Sequence, residues 1–360
     1  MENKDYEFMV FENVNTPVLK ESITRGKKWV NYGENNKYPD FLWELYGNCP
    51  EHSSIVDTLA MYTLGGGVVS SNPNVQAFFN KVNNDGDTIN DVVSKLLLDY
   101  NIFGGWCLQT IPNKAGALQE LYYVDFQKAR VSKDEDLVFY SKDWGKWAAE
   151  YDEYPNWTGE TKKTQMYYFK GHKTKGIYPI PLYTSAIMSI QTSIEISKFH
   201  LNNISNGMSA NTIISFNNGT PTDDVKKAIE KDIKSKFGST SGSKFMVFFN
   251  ESKDKGVEVS KIDADEWDKK FEQLSKSTRQ SIFTAHKVTS PALLGVITEN
   301  NGFSKEEFAE AFSIFNSTVV NSYQKIILRE LEKVLSVYFQ GDLGLSIKPY
   351  IVEQNNSIQS

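Results

Sequence analysis

The longest run of helical periodicity in the sequence spans Ser304–Tyr338, and it restricts the possible folds of this chain more than any other feature. Ser304 and Glu307 have the spacing of a capping box, and Gly341 ends the pattern. The apolar positions at helical spacing are Phe308, Phe312, Phe315, Val319, Tyr323, Ile326, Leu331, Leu335 and Tyr338. An unbroken helix over this range would be about 50 Å long. A compact domain needs no rod of that length, so we expect the helix either to bend or to pack against a partner.

Two further long helices are predicted before this one, and they enclose a small α/β module. Tyr183–Asn206 contains no Gly or Pro, and Asp265–Lys287 places apolar residues three and four positions apart. The sequence between them predicts strands at Thr212–Phe216, Phe245–Phe249 and Val257–Ile262 and a charged helix at Pro221–Lys236. The segment Val288–Asn301 then interrupts the helical pattern with a proline, a glycine and an Asn-Asn pair.

Residues 1–182 mix helical and strand patterns, so the chain as a whole predicts an α+β fold. Helices are predicted at Phe41–Tyr46, Ser53–Leu64 and Ile89–Phe103. The third begins at a Thr88–Asp91 cap and ends at Gly104-Gly105. Strands are predicted at Trp106–Pro112, Leu118–Asp125, Leu137–Tyr140 and Met166–Phe169, the first two as a hairpin. We expect Ser141–Thr164 to be a loop, because it shows no period.

Composition and charge exclude several classes of protein. With 40% hydrophobic residues the chain can bury one large core or two ordinary ones, which excludes intrinsic disorder. No stretch approaches the roughly 18 uninterrupted apolar residues of a membrane-spanning helix, and Met1–Phe11 lacks the apolar segment of a signal peptide, so we expect a soluble protein. Two cysteines, Cys49 and Cys107, suit a reducing compartment. A net charge of −6 with both signs interspersed predicts no basic face for nucleic acid.

The sequence contains no arrangement typical of catalysis, so we expect a protein that is not an enzyme and needs no cofactor and no metal. The histidines form no metal-binding motif and lie far apart, at His52, His172, His200 and His286. Gly65-Gly66-Gly67 follows a helix, which indicates helix termination and not a dinucleotide site. Gly238–Lys244 has the wrong glycine spacing for a phosphate-binding loop and precedes a strand, so we interpret it as a loop. No Gly-x-Ser-x-Gly motif occurs.

Three short motifs follow one another along the chain. The first is Asn35-Asn36-Lys37-Tyr38-Pro39, which precedes a helix that ends in three glycines. The second is Leu121-Tyr122-Tyr123-Val124-Asp125, with Arg130 after it. The third is Val288-Thr289-Ser290-Pro291-Ala292-Leu293-Leu294-Gly295. In their order, and in the alternation of long helices around a small module, these residues resemble the portal proteins of tailed bacteriophages. The resemblance covers about Asn31–Tyr338.

The resemblance implies the α+β architecture of a portal subunit that forms a ring oligomer. The implied parts are a wing at 1–182, a first stem helix at 183–207, a clip at 208–263, a second stem helix at 264–287, a tunnel loop at 288–303, and a long wing helix with a short tail at 304–360. Two features differ from the family pattern. Pro291 stands alone where the family has two prolines, and the crown that many members have after the long helix is expected to be reduced or absent.

The resemblance also implies a function in the virion. It implies a ring, expected to have twelve subunits, at one capsid vertex, through which double-stranded DNA passes non-specifically during packaging and ejection. The implied partners are other copies of the chain, the terminase large subunit, a head-tail adaptor and the major capsid or scaffolding protein, with assembly in the host cytoplasm and no membrane. Twelve copies with a net charge of −6 would carry about −72, which suits a conduit that does not retain DNA. Two alternatives are a tail or baseplate structural protein and, less favoured, an enzyme with scattered site residues.

The candidate functional residues fall in three regions. The tunnel-loop residues expected at the DNA channel are Thr298, Glu299, Asn300, Asn301 and Gly302. The stem cations expected to face the DNA are Lys269, Lys270, Lys276 and Arg279. The clip residues expected to dock terminase or adaptor are Asp223, Asp224, Lys227, Lys231 and Lys234.

Each region also has a plainer interpretation. The tunnel-loop segment could be an ordinary interhelical loop, and the clip helix a solvated surface with i,i+4 ion pairs. The stem cations could pair with acidic residues one turn away, which are Glu266, Asp268 and Glu272. We further expect Thr212–Phe216 and Phe245–Phe249 to pair between subunits, because short apolar strands rarely remain as open edges. The aromatic residues of the long helix are more typical of a core than of an interface.

Overall fold

The computed structural model describes residue 17 and residues 19–146, 149–171, 176–205, 212–216, 225, 245–249, 257–261, 264–294 and 305–350. The chain divides into two compact units, Met1–Thr184 with His286–Ser360, and Ser185–Ala285. The first unit is therefore built from both ends of the chain, and the second from the segment between them. No helix within the described ranges is long and apolar enough to cross a membrane.

Four helices lie in the N-terminal part of the first unit. They are α1 (Tyr38–Asn48), α2 (Pro50–Leu64), α3 (Pro73–Phe79) and α4 (Ile89–Phe103). The predicted capping box of α4 is present, because the Asp91 amide donates to Thr88 Oγ1 at 3.3 Å and the Thr88 amide donates to Asp91 Oδ2 at 2.8 Å. The helix ends at Gly104, whose φ of 84° favours glycine, and a β-carbon there would lie 2.8 Å from the carbonyl oxygen of Ile180. The short helix α3 was not predicted, because seven residues show less than two turns of periodicity.

The strands, in chain order, are β1 (Val68–Ser70), β2 (Gly105–Pro112), β3 (Leu118–Val124), β4 (Ala129–Val131), β5 (Leu137–Tyr140), β6 (Asp152–Pro155), β7 (Gln165–Lys170), β8 (Thr212–Phe216), β9 (Phe245–Phe249), β10 (Val257–Lys261) and β11 (Leu345–Ile347). In the first unit they form antiparallel sheets with the orders β3-β2-β7, β4-β5-β6 and β1-β11. The predicted hairpin joins β2 to β3. β6 lies inside Ser141–Thr164, where we expected a loop. Its residues are mostly exposed, so the sequence shows no apolar alternation there.

The glycine triplet after α2 terminates that helix, as predicted. Gly65 has a φ of 58° and caps the helix by donating its amide to the carbonyl of Met61. The next two glycines exchange backbone hydrogen bonds of 2.8 and 2.9 Å with Lys348. A β-carbon on Gly65 would lie 2.5 Å from the Lys348 carbonyl oxygen, so this turn also allows the C-terminal strand to approach closely.

The described part of the second unit includes two long helices and a three-stranded sheet. The helices α5 (Ile187–Ser205) and α6 (Ala264–Ala285) pack against each other and correspond to the two long helices predicted from the sequence. The sheet has the order β10-β8-β9, with β8 parallel to β9 and antiparallel to β10. A parallel pair needs a connection of a dozen or more residues, and the sequence between β8 and β9 is longer than that. The charged helix and the glycine-rich loop predicted there lie outside the described residues, apart from Val225, which is helical.

The pairing of β8 corrects one expectation. Thr212–Phe216 was expected to pair with a strand of a neighbouring subunit, but it is the central strand and pairs with a neighbour on each side within the chain. The sequence could not reveal this, because strand order depends on which segments meet in space and not on local pattern. β9 is one edge of this sheet in the described chain, so Phe245–Phe249 remains a candidate for pairing with another subunit.

The predicted long helix is helical from Lys305 to Leu335, but it is not uniform. It consists of α7 (Lys305–Phe315), a π-helical segment (Asn316–Val320) and α8 (Asn321–Leu335). The π-helical segment buries the consecutive residues Val319 and Val320, at 5% and 0% exposure, which a regular α-helix places about 100° apart. The extra residue shifts the register, so that α7 and α8 face two different apolar clusters. Ser304, half of the predicted capping box, lies outside the described residues.

The main core of the first unit combines residues from both ends of the chain. Its buried members include Val93, Leu96, Leu97, Trp106, Leu108, Ile327, Leu331, Val334 and Leu343. They come from α4, β2, α8 and the segment before β11. Because α8 fills the space beside α4 and β2, the N-terminal half of this unit needs the C-terminal helix to complete its core.

Candidate functional site

Most of the candidate residues lie outside the part of the chain that the structure describes. The tunnel-loop residues outside it are Thr298, Glu299, Asn300, Asn301 and Gly302. The clip residues outside it are Asp223, Asp224, Lys227, Lys231 and Lys234. Lys269 and Lys270 belong to α6, but the structure describes only their place in the helix. The described flanks of these regions carry the geometry that follows.

Two stem cations can be placed with their side chains. Lys276 Nζ lies 2.6 Å from Glu272 Oε1, one turn earlier on α6, and both side chains are exposed. This hydrogen bond and the charge of Lys276 lower the pKa of Glu272. In the single subunit, Lys276 therefore pairs with an acidic residue one turn away, which was the plainer interpretation of the stem cations. An exposed pair of this kind adds little to stability, so it would open readily near a phosphate. Arg279 is also exposed on α6.

The entry to the predicted tunnel loop is fixed to α2. Residues Pro291–Leu294 form a 3-10 turn in which the amide of Leu293 donates to the Ser290 carbonyl at 3.2 Å. The side chain of Leu293 is 3% exposed. The hydroxyl of Tyr62 on α2 donates to the Leu293 carbonyl at 2.9 Å. The third motif thus ends in a turn that is held by one apolar side chain and one hydrogen bond.

The exit from the same loop packs into the same cluster. Ala311 and Phe315 of α7 are buried together with Leu59, Tyr62 and Leu293. The half-buried ring of Phe312 meets Tyr62 edge-on at 5.0 Å, which supports the prediction that the aromatic stripe is mainly core. The described residues on each side of positions 295–304 therefore contact α2.

Two histidines that are 234 residues apart in sequence meet beside the start of α2. His52 Nδ1 lies 3.0 Å from His286 Nε2, so one ring donates and the other accepts. His52 is fully buried, and Tyr183 packs against both rings at 4.2 and 5.2 Å. We expected scattered histidines; the structure brings these two together because α2 contacts the chain where it re-enters the first unit. No group of three or more potential metal ligands exists within the described ranges.

The first and second motifs form one buried network around Arg130, which is 1% exposed. Its Nε donates to Asn36 Oδ1, and its Nη2 donates to the Asn36 carbonyl at 2.9 Å. Its Nη1 donates to the carbonyls of Gln127 and Ala129, each at 2.8 Å. Burial lowers the pKa of Arg130, and no carboxylate pairs with it in the described structure. Backbone and amide oxygens therefore solvate this guanidinium in place of water.

The backbone conformation of the first motif explains why it contains two asparagines. Asn35 and Asn36 have φ values of 58° and 61°, in the left-handed region that asparagine tolerates better than other side chains except glycine. This turn directs Asn36 Oδ1 toward both Arg130 and the amide of Tyr32, which donates at 2.9 Å. The motif is thus a tight turn shaped to receive the arginine.

The second motif lies next to a buried carboxyl group, that of Asp99 on α4. The Phe126 amide donates to Asp99 Oδ2 at 3.1 Å, and the Tyr123 hydroxyl also hydrogen-bonds to Asp99. Asp99 is 2% exposed, and burial, with a smaller effect of the Asp125 charge, raises its pKa well above the usual value. Asp125 itself caps the next turn by accepting from the Gln127 amide at 3.1 Å.

We expect Asp99→Asn to change how stability depends on pH. Because the folded pKa of Asp99 lies above its unfolded value of about 4, the folded state holds the proton more tightly. The contribution of Asp99 is therefore full below pH about 4 and falls by about 1.4 kcal/mol per pH unit until the folded pKa is reached. Asparagine keeps an acceptor for the Phe126 amide, so the variant should be the more stable protein at pH 8. Urea unfolding between pH 4 and pH 8 measures the difference.

Asp91→Asn is the matched control for that experiment. Its hydrogen bonds with Thr88 lower the pKa of Asp91, so its contribution is present above pH about 4 and is lost as the pH falls. Between pH 4 and pH 8 the Asp91→Asn variant should therefore differ from wild type by an almost constant free energy of unfolding, whereas the difference for Asp99→Asn should change steadily with pH. A parallel response of both variants would show that Asp99 is ionised in the folded state.

Sequence reasoning found the motifs but not the contacts between them. Arg130 was recognised only as part of a pattern, although a lone arginine inside a strand between apolar neighbours, Ala129 and Val131, is a signal for a buried guanidinium. The pairing of His52 with His286 left no local signal, since each residue lies in a different helical region.

Comparisons with known proteins give one consistent picture. A sequence model for the family described as "Phage portal protein" matches residues 55–351. A chain in the "Virion of native gene transfer agent (GTA) particle" superposes with a TM-score of 0.60 at 14% identity, covering 92% of this chain and 86% of that one. A chain in the "Neck of native GTA particle computed with C12 symmetry" gives a TM-score of 0.58 at 14% identity, covering 84% and 81%. No curated protein matches the sequence.

Proposed function

The chain belongs to the phage portal protein family, and on that premise we propose that twelve copies form a ring at one capsid vertex through which double-stranded DNA enters and leaves. Members of this family are structural proteins and not enzymes, which confirms the prediction from the sequence. The superposition with a chain in a neck of C12 symmetry supports the number twelve. In this proposal the ring is part of the virion and is assembled in the host cytoplasm.

The observation that most supports this function is the insertion of the second unit into the first. The chain leaves the first unit after Thr184 and returns at His286, with one long helix at each end of the inserted segment and a three-stranded sheet between them. We assign the first unit to the wing, α5 and α6 to the stem, and residues 208–263 to the clip. Residues 288–303 are the tunnel loop in this assignment.

The charge of the chain suits passage of DNA without retention. Twelve copies would carry about −72, and the described stem cation Lys276 is already paired with Glu272. Tight binding of duplex DNA needs many free lysines and arginines at phosphates and weakens steeply with salt. The spaced cations of α6, Lys269, Lys270, Lys276 and Arg279, would then give brief contacts to phosphates, while residues 298–302 line the narrowest part of the channel.

The partners follow from the same assignment. We propose that the clip docks the terminase large subunit during packaging and a head-tail adaptor afterwards, through the charged side chains of its helix, Asp223, Asp224, Lys227, Lys231 and Lys234. We assign contact with the major capsid or scaffolding protein to the wing. Surface charges of both signs would orient the two proteins and raise their association rate more than they would raise the affinity.

Native mass spectrometry combined with negative-stain imaging of the purified full chain tests this function. Twelve subunits of 40.9 kDa predict a species of roughly 490 kDa with ring-shaped views and a central hole wide enough for duplex DNA. Assembly in the presence of scaffold or capsid protein is the second condition, because the ring can depend on them. Closed rings without an axial channel would favour the tail or baseplate alternative, and a monomer or dimer under both conditions would overturn the proposal.

A further inference from the structure

One helix, α2, contacts both ends of residues 286–294, which include the first part of the predicted tunnel loop. His52 contacts His286 at 3.0 Å, and Tyr62 donates to the Leu293 carbonyl at 2.9 Å. Ten residues separate the two positions on α2, which corresponds to about 15 Å along the helix. Residues 286–294 therefore lie along α2 and are attached to it at each end. The contact at Leu293 is apolar with one neutral hydrogen bond, whereas the contact at His286 depends on the protonation of two imidazoles.

The contact between the two histidines favours the neutral form of both rings. A hydrogen bond between Nδ1 of His52 and Nε2 of His286 needs one protonated and one unprotonated nitrogen. The remaining nitrogen of His52, Nε2, is buried and has no hydrogen-bond partner in the described structure. A positive charge on His52 would therefore be placed in the core without an acceptor for its second N–H, which is costly.

The surroundings of the pair offer no compensating negative charge. Tyr183 packs against both rings, and it is a neutral side chain whose hydroxyl donates to the Ile102 carbonyl at 2.8 Å. Among the described residues, the electrostatic effect on His52 comes from His286, and no carboxylate from α2, α6 or the segment before α5 contributes for either ring. Protonation of either ring therefore opposes the contact.

We propose that His52 and His286 form a pH-dependent latch that holds residues 286–294 against α2 while both rings are neutral. Acidification releases the His286 end of the segment, while the Leu293 end stays attached through Tyr62. Any effect of the latch on DNA passage rests on the proposed function, in which residues 288–294 form the first part of the tunnel loop. The latch itself is a property of the single chain.

The direction and size of the response follow from linkage. Burial lowers the pKa of His52 to about 3 and that of His286 to about 4, whereas free imidazole titrates near 6.5. The latch is therefore fully formed above pH about 6.5 and weakens as the pH falls below it. Each ring released to water favours opening about tenfold at one pH unit below 6.5, so two rings give about 100-fold between pH 7.5 and pH 5.5.

Hydrogen exchange with mass spectrometry on the full chain tests the latch. Exchange rates corrected for the intrinsic effect of pH give the opening constant of peptides that cover residues 286–294. In the wild type this constant should rise about 100-fold from pH 7.5 to pH 5.5, while peptides from α4 and β2 should change little. His52→Phe and His286→Phe keep an aromatic ring in place and should each reduce the response to about tenfold, and the double variant should abolish it.

Tyr62→Phe is the matched control, since it removes the hydrogen bond at the other end of the segment without removing a titrating ring. It should raise exchange at every pH and keep the 100-fold response. A wild-type change below about threefold, or a full response in the double variant, would overturn the latch. If the phenylalanine variants do not fold, the wild-type profile and the Tyr62→Phe profile still decide the matter.

Negative-stain images of the same samples separate this inference from the proposed function. Rings with an axial channel but a flat pH profile would overturn the latch and leave the portal assignment intact. A clear pH response in a chain that never forms rings would support the latch and count against the assignment.

Discussion

Replacing Arg130 with alanine is expected to destabilise the first unit by about 3–5 kcal/mol, the largest effect of any single substitution considered for this chain. The guanidinium makes four hydrogen bonds to oxygens of Asn36, Gln127 and Ala129. Alanine removes the guanidinium donors from these acceptors, of which Asn36 Oδ1 keeps only the Tyr32 amide, and it leaves a cavity between the rings of Tyr32 and Trp144, which lie 5.8 and 5.2 Å from the guanidinium carbon. Each unsatisfied buried acceptor alone costs about 1–3 kcal/mol.

Two further variants separate the contribution of the Arg130 hydrogen bonds to stability from the contribution of its charge. Arg130→Lys keeps the charge but loses the planar fork that serves Asn36 and Gln127 together, so we expect about half of the loss seen with alanine. Lys128→Ala removes a nearby cation whose pair with Asp125 is partly exposed, at 2.8 Å, and should cost about 0–1 kcal/mol. Urea unfolding at pH 7 gives all three values. An Arg130→Ala protein within about 1 kcal/mol of wild type would mean that water replaces the guanidinium.

Removing residues 212–260 is expected to abolish ring formation while the first unit stays folded. The deletion removes β8, β9 and most of β10, and with them the outer edge of β9, which is the strand edge proposed to pair with a neighbouring subunit. The first unit has its own core, formed by α4, β2 and α8, so it should still unfold cooperatively. Native mass spectrometry should then detect a monomer near the mass of the shortened chain.

A second deletion in the same experiment shows whether the effect is specific. Removing residues 296–303 shortens the proposed tunnel loop but leaves both anchors, Leu293 and Phe315, in the cluster with Tyr62. This variant should form rings of normal symmetry and fail in DNA packaging. Intact rings from the 212–260 deletion would show that the clip is dispensable for assembly and that the stem and wing alone close the ring.

Local sequence pattern predicted the elements whose buried face repeats over several turns. α4 was predicted with its cap and its terminating glycine, because Thr88, Asp91 and Gly104 act on backbone groups within one turn. The hairpin of β2 and β3 was predicted because alternation and turn residues lie side by side in sequence. α3 and β6 were missed, since one is too short and the other too exposed to repeat a pattern.

The features of the candidate site also divide into those that the sequence indicated and those that it did not. The sequence indicated the order of the motifs and the family, because these depend on the kind and spacing of residues along the chain. It did not indicate that His286 and Leu293 contact α2, or that Arg130 hydrogen-bonds to Asn36, 94 positions away.

Amino-acid order by itself determined the long helices, the inserted module between them, the net charge and the membership in the portal family, because periodicity, capping and composition act over a few residues at a time. Only the tertiary structure decided the central position of β8, the π-helical shift at Val319 and Val320, the burial of Asp99 and the meeting of His52 with His286. These depend on which distant surfaces pack together, and packing selects among many locally equivalent arrangements by the apolar area it buries and the polar groups it satisfies.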